Sequence, residues 1–191
     1  MSSACEQCHT EAPAYDMVSL SDDGGRRDLC TRCFNRETAA DLEIPWEDPV
    51  FEPVQLLDGK GREHTFHIRP WFCAVGLELE AFEIVKGERG GYEFAVLDEF
   101  TADPMTLFAQ LYERMRRALS RQHIEEVDGV FRLTNLDVIR GRIECDLDFD
   151  PRLPKIVIDG QAISWKRFGQ MLMIFEGWQF RLEIVDRTDE A

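Results

Sequence analysis

Apolar and polar residues alternate with a period of two over much of the chain beyond residue 50, and this pattern predicts strands. Val50 to Leu57 reads as a strand, and Asp58-Gly59-Lys60-Gly61 as the turn after it. His64 to Arg69 follows, with His64, Phe66 and Ile68 on one face. Beyond Pro70, Trp71 to Val75 and Leu77 to Val85 are extended and apolar. Leu77, Leu79 and Ala81 share one parity, then Phe82 and Ile84 take the other, a switch that predicts a bulge. Gly87 to Gly91 reads as a hairpin loop and Tyr92 to Leu97 as the return strand.

The period then changes to that of a helix. Thr101 or Asp103 can cap it, Pro104 suits its first turn, and Leu107, Phe108, Leu111, Met115 and Leu119 form its buried stripe. The longest alternation comes next. Ile139, Gly141, Ile143, Cys145, Leu147 and Phe149 share one parity, while Arg140, Arg142, Glu144, Asp146, Asp148 and Asp150 share the other, predicting a long half-buried strand. Lys155 to Ile158 and Gln161 to Ile163 flank Asp159-Gly160 as a two-residue hairpin. Ser164 caps a last helix with Trp165, Phe168, Leu172 and Phe175 on one face. Gly177 stops it, and Trp178, Phe180, Leu182 and Ile184 alternate as a final strand. The fold class is α+β, with a mainly antiparallel sheet and two main helices over residues 50–191.

The first 49 residues have a different organisation. Tyr15 to Leu20 reads as a short strand, Ser21 to Gly25 as a turn, and Phe34 to Leu42 as a helix that ends shortly before Pro45. Two cysteine pairs frame these elements, Cys5-Glu6-Gln7-Cys8 and Cys30-Thr31-Arg32-Cys33. Two such pairs can close a tetrahedral shell of four thiolates around one zinc ion. The competing readings are two disulfides, a redox-active dithiol or free thiols. Met1 to Thr10 lacks the basic start and apolar core of a signal peptide, so the expected compartment is the cytosol, where disulfides are rare. His9 beside Cys8 reads as a neighbour of the shell rather than a ligand. Knuckle, hairpin and helix in this order resemble the treble-clef zinc fold over about the first 42 residues. The expected division is therefore a zinc module at 1–42, a proline- and acid-rich connector at 43–49 with Trp46 packing on a neighbour, and an α+β domain at 50–191.

The net charge is −15 over 191 residues, and residues 1–49 hold four arginines against eleven acidic groups. Four thiolates on a dication add two further negative charges. Phosphate binding needs clustered Lys and Arg, so nucleic acid is disfavoured as a partner. An anionic membrane is repelled for the same reason, and no apolar run approaches a membrane span. A protein partner is the expectation. The cations of the zinc module, Arg26 and Arg27 at the hairpin and Arg32 and Arg36 on the helix, are the candidate contacts.

Other candidates have ordinary structural explanations. His64 and His67 lie three apart on a strand and so point to opposite faces. His123 stands in a polar stretch with no partner that the sequence can name. Cys73 and Cys145 fall in apolar strands, where a thiol is inert. Asp146, Asp148 and Asp150 can line up to hold Mg²⁺ or Ca²⁺, or can be the solvated side of their strand. Glu78 and Glu80 have a spacing that any strand supplies. Arg114, Arg117 and Arg121 complement the dipole of their helix. Gly87 to Gly91 lacks the residues of a phosphate loop, and no Gly-x-Ser-x-Gly, His-Glu-x-x-His or kinase signature occurs. The stretch Ile156 to Asp186, with its Asp-Gly turn, Ser-Trp helix start and Gly-Trp strand start, resembles a C-terminal unit of uncharacterised bacterial zinc-finger proteins, and the resemblance implies no activity. The expected function is a non-enzymatic interaction or adaptor protein with a structural Zn(Cys)4 site. The alternatives are a nucleic-acid-associated regulator and an enzyme whose site is assembled in the α+β domain.

Overall fold

In the computed structural model of the chain, residues 2–22, 25–134, 138–146 and 150–189 are described. The N-terminal part is built on two hairpins and a helix. β1 (Ser2–Ala4) pairs with β2 (Glu11–Pro13), and β3 (Met17–Asp22) pairs with β4 (Gly25–Cys30). Tyr15 lies in a turn of 3-10 helix at Ala14–Asp16, so β3 starts two residues later than the sequence pattern predicts. Helix α1 (Thr31–Asp41) follows β4 directly, with Cys30 as its N-cap.

The alternation of the middle third becomes one antiparallel sheet. β5 (Val54–Leu57), β6 (Glu63–Cys73), β7 (Gly76–Val85) and β8 (Glu88–Asp98) lie in that order. β5 is shorter than expected, because residues 50–53 take no strand pairing. β6 runs straight through Pro70, which the sequence suggests as a break. On this side of β6 no strand of the described residues lies beyond Phe66, since β5 covers only residues 63–66. The missing N–H of Pro70 therefore faces an edge where it costs no ladder bond. The expected bulge occurs, as a register shift after Phe82 opposite Gly90 to Glu93. Gly91 is required there. It has φ +64, and a Cβ would lie 2.2 Å from a Glu83 carboxylate oxygen.

The two faces of this sheet differ. Phe66, Phe72, Leu77, Leu79, Ala81 and Val96 pack under helix α2 (Pro104–Leu119), whose Leu107, Leu111, Met115 and Leu119 are buried as predicted. Asp103 caps α2 by accepting from the Thr106 N–H at 2.9 Å. The opposite face carries charge. Glu80 is 1% exposed, and its carboxylate meets Arg69 at 2.6 Å, Arg187 at 2.9 Å and Arg89 at 3.3 Å. Glu78 is buried beside it and pairs with Arg187. Burial pushes the Glu78 carboxyl up, with Arg187 opposing. Burial acts in the same sense on Glu80, but the arginines outweigh it and hold that carboxyl below its usual range.

A second hydrophobic cluster lies in the C-terminal third. β9 (Ile124–Val127) pairs with β10 (Val130–Leu133), and β11 (Arg142–Cys145), β12 (Pro154–Ile158) and β13 (Gln161–Ser164) form a three-stranded sheet. Asp159 and Gly160 make the expected tight turn, both at positive φ. A Cβ on Gly160 would sit 2.9 Å from the Tyr92 ring, so the turn docks closely on β8. Asp159 accepts the N–H groups of His123 (2.6 Å) and Ile124 (2.8 Å), and the His123 Nδ1 lies 2.9 Å from the Val138 carbonyl. His123 is thus a buried residue with partners.

Three expectations for this third are corrected. Of the strand expected over 139–149, residues 147–149 lie outside the described residues and the rest forms only β11, with its parity inverted: Ile143 and Cys145 are exposed, while Arg142 and Glu144 are half-buried. The polar side turns inward because it finds partners there. Arg142 pairs with Glu93 at 3.4 Å and with Glu144, and Lys155 pairs with Glu144 at 3.3 Å. In helix α3 (Trp165–Leu172), capped by Ser164, the buried residue is Met171 and Phe168 is partly buried, as is Phe175 in the 3-10 turn that follows, whereas Trp165 and Leu172 are exposed. A helix this short contacts the small sheet through one narrow stripe. The final strand does not form: residues 178–186 take neither strand nor helix, and Trp178, Phe180, Leu182 and Ile184 are all exposed. No helix of the described residues is long and apolar enough to cross a membrane.

Candidate metal centre

The first cysteine pair sits in the loop that joins β1 to β2. The Cys5 N–H donates to the Thr10 carbonyl at 3.0 Å and the His9 N–H to the Cys5 carbonyl at 2.9 Å. His9 takes φ +58 to complete this knuckle, a conformation that His adopts more readily than most residues. The second pair opens α1, with Cys30 at the N-cap and Cys33 two residues into the helix. This is the end where the helix dipole favours thiolates. The knuckle is held against β4 by the Glu6 N–H on the Asp28 carbonyl and by the Asp28 N–H on the Glu6 carboxylate, each 3.0 Å.

These contacts bring four sulfur atoms together. The Sγ atoms of Cys5, Cys8, Cys30 and Cys33 lie within 4.8 Å of one another, and none of the four cysteines is in a disulfide. Cys8 Sγ and Cys30 Sγ are 3.9 Å apart. A tetrahedral shell with metal–sulfur bonds near 2.3 Å has sulfur–sulfur separations of about 3.8 Å. A disulfide needs about 2.05 Å. The donor set can therefore hold a metal ion. Cys5, Cys30 and Cys33 are buried with Ala12 and Leu29, and Cys8 is exposed.

The surroundings act unequally on the thiols. Backbone and side-chain hydrogen bonds from Thr10 bring Cys8 down to about 6. Burial works to raise Cys5, but the N–H groups of Cys8, Cys30 and Gln7 outweigh it and leave that thiol lowered. Burial pushes Cys30 and Cys33 up. A cation at the centre of the four sulfurs would relieve that cost, because buried thiolates need a compensating positive charge.

The cysteine cluster is tied to the central sheet by a residue that no sequence motif marks. Asn35 in α1 is 2% exposed. Its side-chain amide donates to the Pro70 carbonyl at 2.9 Å, and its Oδ1 accepts the Phe72 N–H at 3.1 Å. The carboxamide thus replaces the strand that β6 lacks along this edge. Phe34 stacks on Trp71, and Arg69 donates to the Tyr15 carbonyl at 2.7 Å. The available signal was a polar residue at i, i+4 spacing between Thr31 and Ala39, both buried. Trp46 of the connector packs edge-on against Phe72, as its position suggested.

The four arginines of the module each meet an acidic group in the chain. Arg26 pairs with Asp28 at 3.2 Å and Arg27 with Glu37 at 2.8 Å. Arg32 and Arg36 straddle Asp48, at 3.9 and 2.5 Å. They line a shallow depression of about 350 Å³ with Trp46, Glu47 and Val50.

The other candidates are dispersed. His64 lies between Glu83 (2.8 Å) and Asp58 (3.5 Å), while His67 stacks on Phe82 on the other face. Asp148 lies outside the described residues, and Asp150 is engaged by the Arg152 guanidinium at 3.1 Å. Cys145 is exposed, contrary to the core position expected, and Cys73 is half-buried. Glu78 and Glu80 are the buried, arginine-paired groups described above. Arg114 donates to the Ala95 carbonyl at 2.7 Å and to the carbonyls of residues 187–189, so it clasps the C-terminal stretch.

Comparison with known proteins divides the chain into three matches. A domain of unknown function, DUF7685, matches residues 4–45, which hold the four cysteines. A second, DUF7686, matches residues 47–120, the central sheet and α2. A third, DUF7713, matches residues 123–189. No curated protein and no solved structure matches the chain.

Proposed function

We propose that this chain is a zinc-binding protein-interaction or adaptor module, with one structural zinc held by Cys5, Cys8, Cys30 and Cys33 in a treble-clef arrangement. The observation that carries the reading is the sulfur cluster, whose 3.9 Å Cys8–Cys30 separation suits a tetrahedral shell. The order of knuckle, β3–β4 hairpin and α1 supports the treble-clef assignment. Four thiolates complete the coordination of zinc and leave no position for a substrate or an activating water. The metal then supplies shape: it fixes a surface that a module of this size cannot hold by core packing alone. A reducing compartment such as the cytosol suits such a centre.

On this reading the partner surface includes Arg26, Arg27, Arg32 and Arg36, the cations of an acidic segment, which exchange their own acidic neighbours for those of a protein partner. The pairs of Arg26 and Arg27 are largely exposed and worth no more than about 1 kcal/mol each, so their exchange is cheap, whereas Arg32 and Arg36 share Asp48, whose side chain is only 12% exposed.

Metal analysis of the purified chain tests the first part. One zinc per chain is expected, and Cys5→Ser or Cys30→Ser should abolish it. Folded, metal-free protein in which all four thiols react as exposed cysteines would overturn the reading. Charge reversal at Arg26 and Arg27 tests the second part, because it should weaken capture of partners identified from native cells while circular dichroism stays unchanged.

A further inference from the structure

The C-terminal stretch from Trp178 to Asp186 is an unpaired strand sequence on the outside of the molecule. Trp178, Phe180, Leu182 and Ile184 are 73, 90, 72 and 71% exposed. Residues 179–185 make no backbone hydrogen bond with other described residues. Neither ladder edge is taken by another described residue, the arrangement that invites another strand. The stretch is held at both ends. Trp178 packs edge-on against Phe175, and its N–H donates to the Phe175 carbonyl at 2.9 Å. At the other end Arg187 is seated on Glu78 and Glu80, and Arg114 clasps the carbonyls beyond it. Anchoring at both ends lowers the ordering cost of pairing.

We infer that this stretch pairs antiparallel with the same stretch of a second copy of this chain, about a two-fold axis at Leu182. The charges select the occupant and the register. With Leu182 opposite Leu182, each Arg181 stands opposite Glu183 of the second copy, Phe180 opposite Ile184, and Gln179 opposite Val185. A register centred on Arg181 or on Glu183 puts like charges opposite each other, which is destabilising. Within one chain Arg181 and Glu183 already pair at 3.3 Å, both well exposed, so the cross-strand pair replaces a weak contact.

Area supports a reversible dimer. The four apolar side chains expose on the order of 500 Å² per copy, as large as the largest patch that a typical monomer leaves bare. Leu172, Met173 and Ile174, just before the stretch, are exposed as well and extend the apolar surface. Edge-to-edge pairing covers only part of this surface, which places the dimer below the specific interfaces of about 1,200 Å² and makes it reversible. The interface is isologous, as a two-fold axis demands. It does not involve the cysteines, so its failure leaves the metal reading untouched, and the converse holds.

Sedimentation equilibrium of the full chain tests the inference. A monomer–dimer equilibrium is expected between about 1 and 100 µM, the range of weak interfaces. Leu182→Asp and Arg181→Glu should each weaken association at least about tenfold, as loss of a buried apolar contact or a like-charge pair does. The double variant Arg181→Glu with Glu183→Arg should restore it. An equimolar mixture of the two single charge variants should associate, because each supplies what the other lacks. A chain that stays monomeric at about 100 µM overturns the inference, as does a dimer indifferent to Leu182→Asp and Arg181→Glu. Amides of 179–185 that exchange slowly in a monomer would mean that the stretch is captured by its own chain, and would overturn it too.

Discussion

Residues 2–41 and residues 139–186 make an instructive pair. Both have strong sequence patterns, cysteine spacing in the first and apolar–polar alternation in the second. The cysteines come together as their spacing predicts. The alternation does not: β11 turns its apolar side outward, and Trp178 to Ile184 forms no strand pairing with the other described residues. The difference is physical. Four thiols able to share one ion need only converge on a point, and within 29 residues they do so by local knuckles. Alternation specifies only that one side of a strand is fit for burial. Whether a strand lies beside it, and which side faces in, depends on surfaces far away in sequence.

Metal removal should sharpen this contrast most. Chelation is expected to melt residues 2–41, read as loss of amide protection there, while α2 over the central sheet stays protected. Equal loss in both regions would show that the sheet depends on the metal as well.

Asn35→Ala should come next, at about 2–4 kcal/mol, because it strands the Pro70 carbonyl and the Phe72 N–H at a buried edge. Denaturant titration measures it. A cost below about 1 kcal/mol would mean that water replaces the amide at that edge.

An acid titration probes a third link. The Asp58 side chain is buried, and burial alone would raise it. The N–H groups of Arg62 and Lys60 and the Arg62 guanidinium prevail and hold it at about 2. Because its folded pKa is depressed, its stabilisation is fully present above the unfolded value near 4. It is lost as pH falls towards about 2. The loss should be about 2 kcal/mol, and Asp58→Asn should flatten the profile across that window.

The smallest effects should mark the C-terminal side. Trp165→Ala and Trp178→Ala should each cost the monomer less than about 1 kcal/mol, since both rings are exposed. Their sequence parity suggests buried rings and a loss several times larger. Leu111→Ala, in the buried stripe of α2, should cost about 2–5 kcal/mol and serves as the internal reference for thermal melts.

By itself the sequence determined the four clustered cysteines, the capped α2 with its buried stripe, the bulge after Phe82 and the Asp159-Gly160 hairpin. Each is written in residues close together in the chain, where stereochemistry and short-range spacing leave few alternatives. Only the tertiary structure decided that β6 continues through Pro70, since that depends on Asn35 arriving from another element to complete its edge. It alone showed that Glu78 and Glu80 are buried, where Arg187, more than a hundred residues away, joins Arg69 and Arg89 in pairing them. It also decided which side of β11 faces inward, where ion pairs with Glu93 and Lys155 outweighed the burial of Ile143 and Cys145. A periodic pattern states what a segment is able to bury, and the neighbours that surround it in space determine what it does bury.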